Sequence, residues 1–371
     1  MHLPLLLLLS STAHAEDSGK GPGDGGPFPF RVGGATVEPI ALAQLWLTAY
    51  DMDTNVQADA TGYGDPEDDP GMKVKRIRVG LGGDYNRWKY RFVVGTTAPY
   101  DGLTEHSSAL SVKDAWIGVE PVAGLDIRAG EGKLPYSRDQ MMSAADLTFT
   151  ERGIATEHLL PEDALGLTVS YGRTGAKKAS GGKVTLGAYN AGGDLFGDDT
   201  TGKTLVGRLE WNAGKADTYS TFTQEKGNGQ RKAFGLGIGA NAYYTIGVAT
   251  DTWAAGGDLM IRGAGLSLLV DGTFSHVTPT STTVDNPDVW AETDRSGVTT
   301  QLSYQAGQFE PALRYSMFDD STLGQYSQIL GGVEWHTAEN HVAVGAGYEM
   351  RLEGQDELDN DTARLWAQFN L

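Results

Sequence analysis

Cysteine is absent from the sequence, and with it go disulfides, thiolate metal sites and thiol nucleophiles. Also missing is any apolar run of the roughly 20 residues that a membrane-spanning helix requires. Basic charge is scarce: 29 Lys and Arg stand against 48 Asp and Glu, a formal net charge of -19. Such a chain repels nucleic acid phosphates, so no nucleic acid partner is expected. Mean hydropathy is -0.31, too polar for a bundle of membrane helices. A β-barrel gives lipid only every second strand residue, so its average stays polar, and that class fits.

What is present begins with an export signal. Leu3 to Leu9, interrupted by Pro4, form a short apolar core, and Ala13-His14-Ala15 follow in the small-x-small pattern of a signal-peptidase site. Residues 1–15 are therefore expected to be a cleaved signal peptide. Residues 16–35 read as a flexible tail, rich in Gly, Pro and acids up to Phe30. An exported chain without disulfides needs another source of stability, and a barrel's closed hydrogen-bond ladder supplies one.

From residue 36 to 371 the pattern is short alternating runs between Gly, Asp, Asn and Pro clusters, with no composition shift, so a single domain is expected. In the clearest run Val342, Val344, Ala346, Tyr348, Met350 and Leu352 share one parity, while His341, Gly345, Gly347, Glu349 and Arg351 share the other. Period two means a strand with two unlike faces. The run with Ile329, Val333 and Trp335 against Gln328, Glu334 and His336 pairs with it as a hairpin across Thr337 to Asn340. About 18 such runs can be parsed, among them runs beginning near Ala216, Ala233 and Tyr243, and the region from Ala233 to Val277 also parses two shorter. Bacterial barrels favour even numbers, so the expectation is 16 strands, or 18. Connections alternate between short turns (Asp84 to Arg87, Pro121 to Gly124, Asn212 to Lys215) and longer loops (Asp51 to Gly71, Thr278 to Ser296, Glu353 to Asp361), the habit of barrels with short periplasmic turns. The last strand sets Leu365 and Phe369 against Arg364 and Gln368, an amphipathic carboxyl-terminal strand.

No water reaches backbone groups in hydrocarbon, so strands must close until no edge remains. One parity then meets lipid. The other carries Arg, Lys, Glu, Gln and Ser, which hydrate readily in a wide lumen and cannot pack into a dry core. By parity Arg76, Arg78, Lys89, Arg91 and Arg128 point inward as a basic wall; pairing with inward acids such as Asp114 is the other reading of these side chains. The longest loop, 133–164, holds Lys133, Arg138 and Arg152 among the acids Asp139, Asp146, Glu151 and Glu157. Folded inward it becomes a constriction whose carboxylates face the basic wall and screen solutes by size and charge.

Enzyme and metal motifs are set aside on spacing. Gly21-Pro22-Gly23-Asp24-Gly25-Gly26 matches a dinucleotide fingerprint but has no strand before it. Asp51, Asp53 and Asn55 open like a calcium loop, yet Val56 and Gly62 stand where Gly and Glu are required. The histidines lack metal-ligand spacing, and neither a nucleophile elbow nor an HExxH motif occurs. No cofactor and no catalysis are expected; a hydrolase site scattered over loop residues such as Glu151 and His158 is the minor alternative.

The segment from Lys75 to Tyr171 resembles the phosphate-selective porin O and P family. The matching stretches are Lys75-Arg76-Ile77-Arg78-Val79-Gly80, Lys113-Asp114-Ala115-Trp116-Ile117, Gly130-Glu131-Gly132-Lys133-Leu134-Pro135-Tyr136-Ser137 and Leu147-Thr148-Phe149-Thr150-Glu151-Arg152. The resemblance implies an outer-membrane trimer of 16-stranded barrels whose third loop folds into the lumen, with basic residues guiding anions. Lys133, Arg138 and Arg152 match basic sites in or beside the family's loop motifs. Two departures leave the preferred ion open: Glu162-Asp163-Ala164-Leu165 stands where an Arg is common before Gly166, and the loop is rich in acids. The expected function is an outer-membrane porin for small hydrophilic solutes or ions, with membrane lipid, lipopolysaccharide and sister subunits as neighbours. A structural or adhesive barrel with a plugged lumen is the alternative.

Overall fold

The computed structural model describes residues 29–50, 71–97, 110–160, 163–172, 180–191, 202–214, 216, 218–221, 233–247, 250–280, 292–322, 324–337, 341–353 and 361–371. The expected signal peptide lies outside them, as do loop residues 51–70 and 354–360 and the acidic dinucleotide-like stretch at 21–26. Seventeen strands are present among the described residues: β1 (Phe30–Val32), β2 (Ala35–Tyr50), β3 (Gly71–Tyr85), β4 (Trp88–Thr97), β5 (Ser111–Val119), β6 (Leu125–Gly132), β7 (Ala164–Gly172), β8 (Ser180–Asn190), β9 (Lys203–Gly214), β10 (Gly235–Ile246), β11 (Thr250–Gly263), β12 (Leu266–Pro279), β13 (Thr293–Tyr304), β14 (Phe309–Asp320), β15 (Gly324–His336), β16 (Val342–Glu353) and β17 (Thr362–Asn370). Each of β2 to β17 pairs antiparallel with its sequence neighbours, and β17 pairs with β2 through Trp366↔Trp46. The result is a closed barrel of 16 strands, with β1 as an additional strand hydrogen-bonded to β2.

The run expected near Ala216 is not a strand among the described residues, and the runs near Ala233 and Tyr243 are one strand, β10. That removes two strands and selects 16 over 18. The tail expected through residue 35 ends sooner, because Phe30–Val32 and Ala35 onward form a hairpin turned by Gly33 and Gly34, both at positive φ. The short turn expected at Asn212 to Lys215 is not found among the described residues, since β9 runs to Gly214 and residues 218–221 meet the loop inside the lumen.

Alternation produces this closure in physical terms. The outward parity holds Leu45, Leu47, Val79, Leu81, Leu167, Leu186, Leu209, Leu313 and Leu365, all exposed on the isolated barrel. Their belt is flanked at the short-turn end by Tyr85, Trp88, Tyr171, Trp211, Tyr304 and Phe369, and at the other end by Tyr244 and Trp253, the aromatic girdles of a barrel seated between two membrane interfaces. No helix among the described residues is long and apolar enough to cross a membrane. The short turns use residues that tolerate positive φ where the twist demands it, such as Asn86 (φ 58) between β3 and β4.

Two bulges break strict parity on the lumen wall. Gln44 pairs with Arg76 but Leu45 with Val74, leaving Lys75 as an extra residue. Opposite Val93 and Val94 of β4 the register of β5 jumps from Asp114 to Val112, leaving Lys113 extra. Each bulge places consecutive charged residues, Lys75-Arg76 and Lys113-Asp114, together at the wall.

Candidate functional site in the barrel lumen

The loop after β6 folds inward as expected, and short elements within it make it rigid. Helix α1 (Arg138–Met141) begins where Ser137 Oγ accepts from the Gln140 N–H, a 3₁₀ turn covers Ala144–Asp146, and helix α2 spans Ile154–Leu159. Its apolar residues face the wall rather than water. Leu134 and Tyr136 pack with Tyr189, Val206, Tyr243 and Ala254; Met142 and Leu147 with Met260 and Leu269; Phe149 with Trp46, Leu330 and Trp366; Ile154 and Leu159 with Phe318. Lumen-facing Leu and Met on β11, β12 and β15 are therefore the dry bed of this loop.

Charge fixes the loop at three places. Arg138 is fully buried and donates through Nε to Asp258 Oδ1 at 2.7 Å, while Arg208 donates to Asp258 Oδ2 at 2.6 Å and to the Tyr136 carbonyl at 2.6 Å. Glu151 accepts from Lys75 Nζ at 3.0 Å and Arg76 Nη2 at 3.1 Å; Arg76 also donates to the Thr150 carbonyl, and Arg314 to the Glu151 carbonyl, both at 2.6 Å. Burial pushes the Glu151 carboxyl up, but Arg76 and Lys75 outweigh it and hold it at about 2. Near the loop's root Lys133 donates to the Met142 carbonyl, and Arg152 donates to the carbonyls of Asp139 (3.0 Å), Gln140 (3.3 Å) and Met142 (2.8 Å). Burial first, then the Arg152 charge, pushes the Lys133 ammonium well below its ordinary value against the opposing pull of Asp163.

A second segment meets the loop from the short-turn end. Residues 218–221, between β9 and β10, rise into the lumen. Thr221 N donates to the Asp146 carbonyl at 3.0 Å, Thr148 N to Thr221 Oγ1 at 2.8 Å, and Arg138 Nη1 to the Thr218 carbonyl at 3.0 Å. Tyr219 donates to Glu210 and lies 4.6 Å below the Arg138 guanidinium. Read as a strand from sequence, this segment is a strut under the constriction. Its polar Thr and Tyr residues fit a strand pattern equally well, so only the partners reveal it.

The expected site residues divide into two groups. Arg76, Arg138 and Arg152 are buried anchors of the loop, and of the loop acids Asp139 and Glu151 are buried with them. Asp146 holds the strut through its carbonyl, and Glu157, partly exposed, sits 3.6 Å from Arg152. In contrast, Lys89 and Arg128 keep 42% and 43% of their side chains exposed. Lys89 reaches Glu120 and Asp126, Arg128 pairs with Asp126 at 2.7 Å, and Arg91 pairs with Asp114 at 3.0 Å. Arg78, Lys113 and Lys183 are partly exposed on the same β3–β8 wall and make no ion pair among the described residues. Sequence parity did not single out Lys75, Lys113 or Lys183 as lumen charges. The bulges hid the first two, and Lys183 needed only its strand's register. No group of three acidic or His residues that could hold a metal occurs among the described residues.

A closed transmembrane barrel of 16 strands whose lumen is crossed by one long, wall-anchored loop is the architecture of an outer-membrane porin. The chain belongs to the Phosphate-selective porin O and P family, whose sequence profile matches residues 51–308. No curated protein sequence matches it. Among solved structures it is similar to an anion-selective porin from Comamonas acidovorans, at 12% identity and a TM-score of 0.60 over 91% of this chain and 100% of that one. It is also similar to OmpF of Salmonella typhi in complex with daunomycin, at 12% identity and TM-score 0.59 over 93% and 100%. OmpT of Vibrio cholerae in its trimer form aligns at 14% identity and TM-score 0.53 over 91% and 99%. Identities this low speak for the fold alone.

Proposed function

We propose that this porin conducts small anions along one side of its lumen, past the β3–β8 wall. The observation that carries the reading is an asymmetry of exposure. On β9 to β17 the lumen-facing Arg208, Glu210, Asp258, Arg262, Asp271, Glu310, Arg314, Glu334, Glu349, Arg351 and Arg364 are buried, and Arg295, partly exposed, is tied to the buried Asp320 at 2.7 Å. On β3 to β8 Lys75, Arg76 and Glu131 are buried where the loop is anchored, but the lumen-facing Arg78, Lys89, Arg91, Lys113, Asp114, Asp126, Arg128 and Lys183 are not. The loop leans on the far wall, and water and solute are left with the near one. Basic residues outnumber acids there, in a chain whose net charge is -19, so the local field favours anions. The basic residues act as a graded set of exposed charges, and Arg76, Arg138 and Arg152 act as anchors that hold the path open.

Export through the signal peptide 1–15, cleavage after Ala15 and assembly as a homotrimer complete the reading; the trimer is supported by the trimeric OmpT among the similar folds. The test is the reversal potential of purified protein in a planar bilayer under a chloride gradient. The native pore should be anion-selective, and the triple variant Arg78→Gln, Lys89→Gln, Lys183→Gln should shift the potential toward the cation value. An unmoved potential, or a pore that prefers cations at the outset, overturns the wall as selectivity filter.

A further inference from the structure

Trp116 is the one large aromatic side chain that the β4–β6 wall turns toward the lumen among the described residues, since Trp88, Tyr90 and Phe92 take the outward parity. It is partly exposed rather than packed under the loop. Its cross-strand partners are Arg91 on β4 and Gly130 on β6. Gly118 and Gly132 also border the ring: a Cβ on either would come within 3.6 Å and 3.5 Å of the indole. The ring therefore lies along the wall over side-chain-free backbone. The Arg128 guanidinium stands 4.6 Å from the ring centroid, which holds the guanidinium plane by a cation–π contact. Arg128 uses Nε for Asp126, and its two terminal nitrogens make no hydrogen bond among the described residues. Lys183, on the same wall, carries no ion pair there.

We propose that Trp116 and Arg128 form a solute subsite for aromatic carboxylates within the anion path; this rests on the path reading given above. The open end of a guanidinium fork accepts a carboxylate through two parallel N–H···O bonds. Inorganic anions can use that fork too, but nothing in them meets the indole. A planar ring attached to the carboxylate does, and it gains contact with a π surface that water solvates poorly. A smooth pore has no use for an indole on its wet wall, whereas a solute that is ring at one end and anion at the other uses both groups.

The probes are sodium benzoate, acetate and cyclohexanecarboxylate, each tested for block of single-channel chloride current. Benzoate should half-block at a concentration on the order of 2- to 10-fold below acetate, the size of one aromatic contact, with cyclohexanecarboxylate in between. Trp116→Leu should abolish the benzoate advantage. Arg128→Lys, which keeps the charge and removes the planar fork, should reduce it, and it decides the matter if Trp116→Leu fails to fold. Equal block by benzoate and acetate in an anion-selective pore overturns the subsite alone, and so does an advantage that survives Trp116→Leu. Equal block by benzoate and cyclohexanecarboxylate overturns the aromatic assignment. A cation-selective native pore overturns the path reading and the subsite with it.

Discussion

Replacing Glu151 with Gln tests whether charge pins the constriction loop. In the native protein Glu151 is 3% exposed and lies 3.0 Å from Lys75 and 3.1 Å from Arg76, two adjacent cations that a bulge forces onto the same face. Without the carboxylate both cations remain buried and face each other. Removing one partner of a buried ion pair costs about 3–5 kcal/mol, and the loop can relieve that cost only by leaving β3 so that water reaches Lys75 and Arg76. A bias of about 3 kcal/mol raises an undocked population roughly 100-fold. Single-channel recordings at pH 7 should therefore show frequent current fluctuations and a larger mean conductance than the native pore, while heat-modifiable migration on gels verifies that the barrel has formed. Conductance and noise equal to those of the native protein would refute the pin. The same geometry fixes the pH response. The folded carboxyl is held at about 2 against an ordinary 4.5, so its contribution is complete above about pH 4.5 and is lost as pH falls toward 2. Lowering the bath from pH 7 to 5 should leave the noise unchanged, and a transition near pH 6 would contradict this assignment.

Other perturbations follow from the same contacts. The pair Tyr219→Phe and Thr221→Val removes the strut's hydrogen bonds to Glu210 and Thr148, each worth about 1 kcal/mol; noisier current with an intact barrel is expected, and a quiet trace would show that the strut is passive. Leu209→Arg puts a charge on the lipid face in mid-strand, where Leu209 is exposed; a loss of about 2–4 kcal/mol in urea unfolding from lipid vesicles is expected, and an unchanged midpoint would dispute that this face meets hydrocarbon. Gly345→Val drives a side chain into the Trp366 indole; overpacking costs about 1–3 kcal/mol, and because Trp366 packs edge-to-face against Phe149 the loop should loosen as well, read as lower unfolding temperature with increased channel noise.

The wall charges divide along a line that parity alone does not draw. Arg76 and Arg78 are two apart on β3 and share a face, so the sequence ranks them alike. In the fold Arg76 is bonded to Gln44, Thr150 and Glu151, whereas Arg78 makes no ion pair among the described residues. The difference is made by where a loop that starts after residue 132 lands across the lumen. Lys75 shows the converse: its odd position predicts a lipid-facing side chain, and a single extra residue opposite Gln44 and Leu45 turns it inward.

Alternation of apolar and polar residues determined the barrel and its two solvents, because a period of two is local and any closed sheet must respect it. The inward course of the loop was also legible, from its length and its mixed charge. Only the tertiary structure decided the strand number, the strut at residues 218–221 and the wall on which the loop rests. Those depend on pairing register and on contacts between residues up to hundreds of positions apart, such as Gln368 with Ala145, and no local pattern encodes which lumen charge finds a partner and which is left facing water.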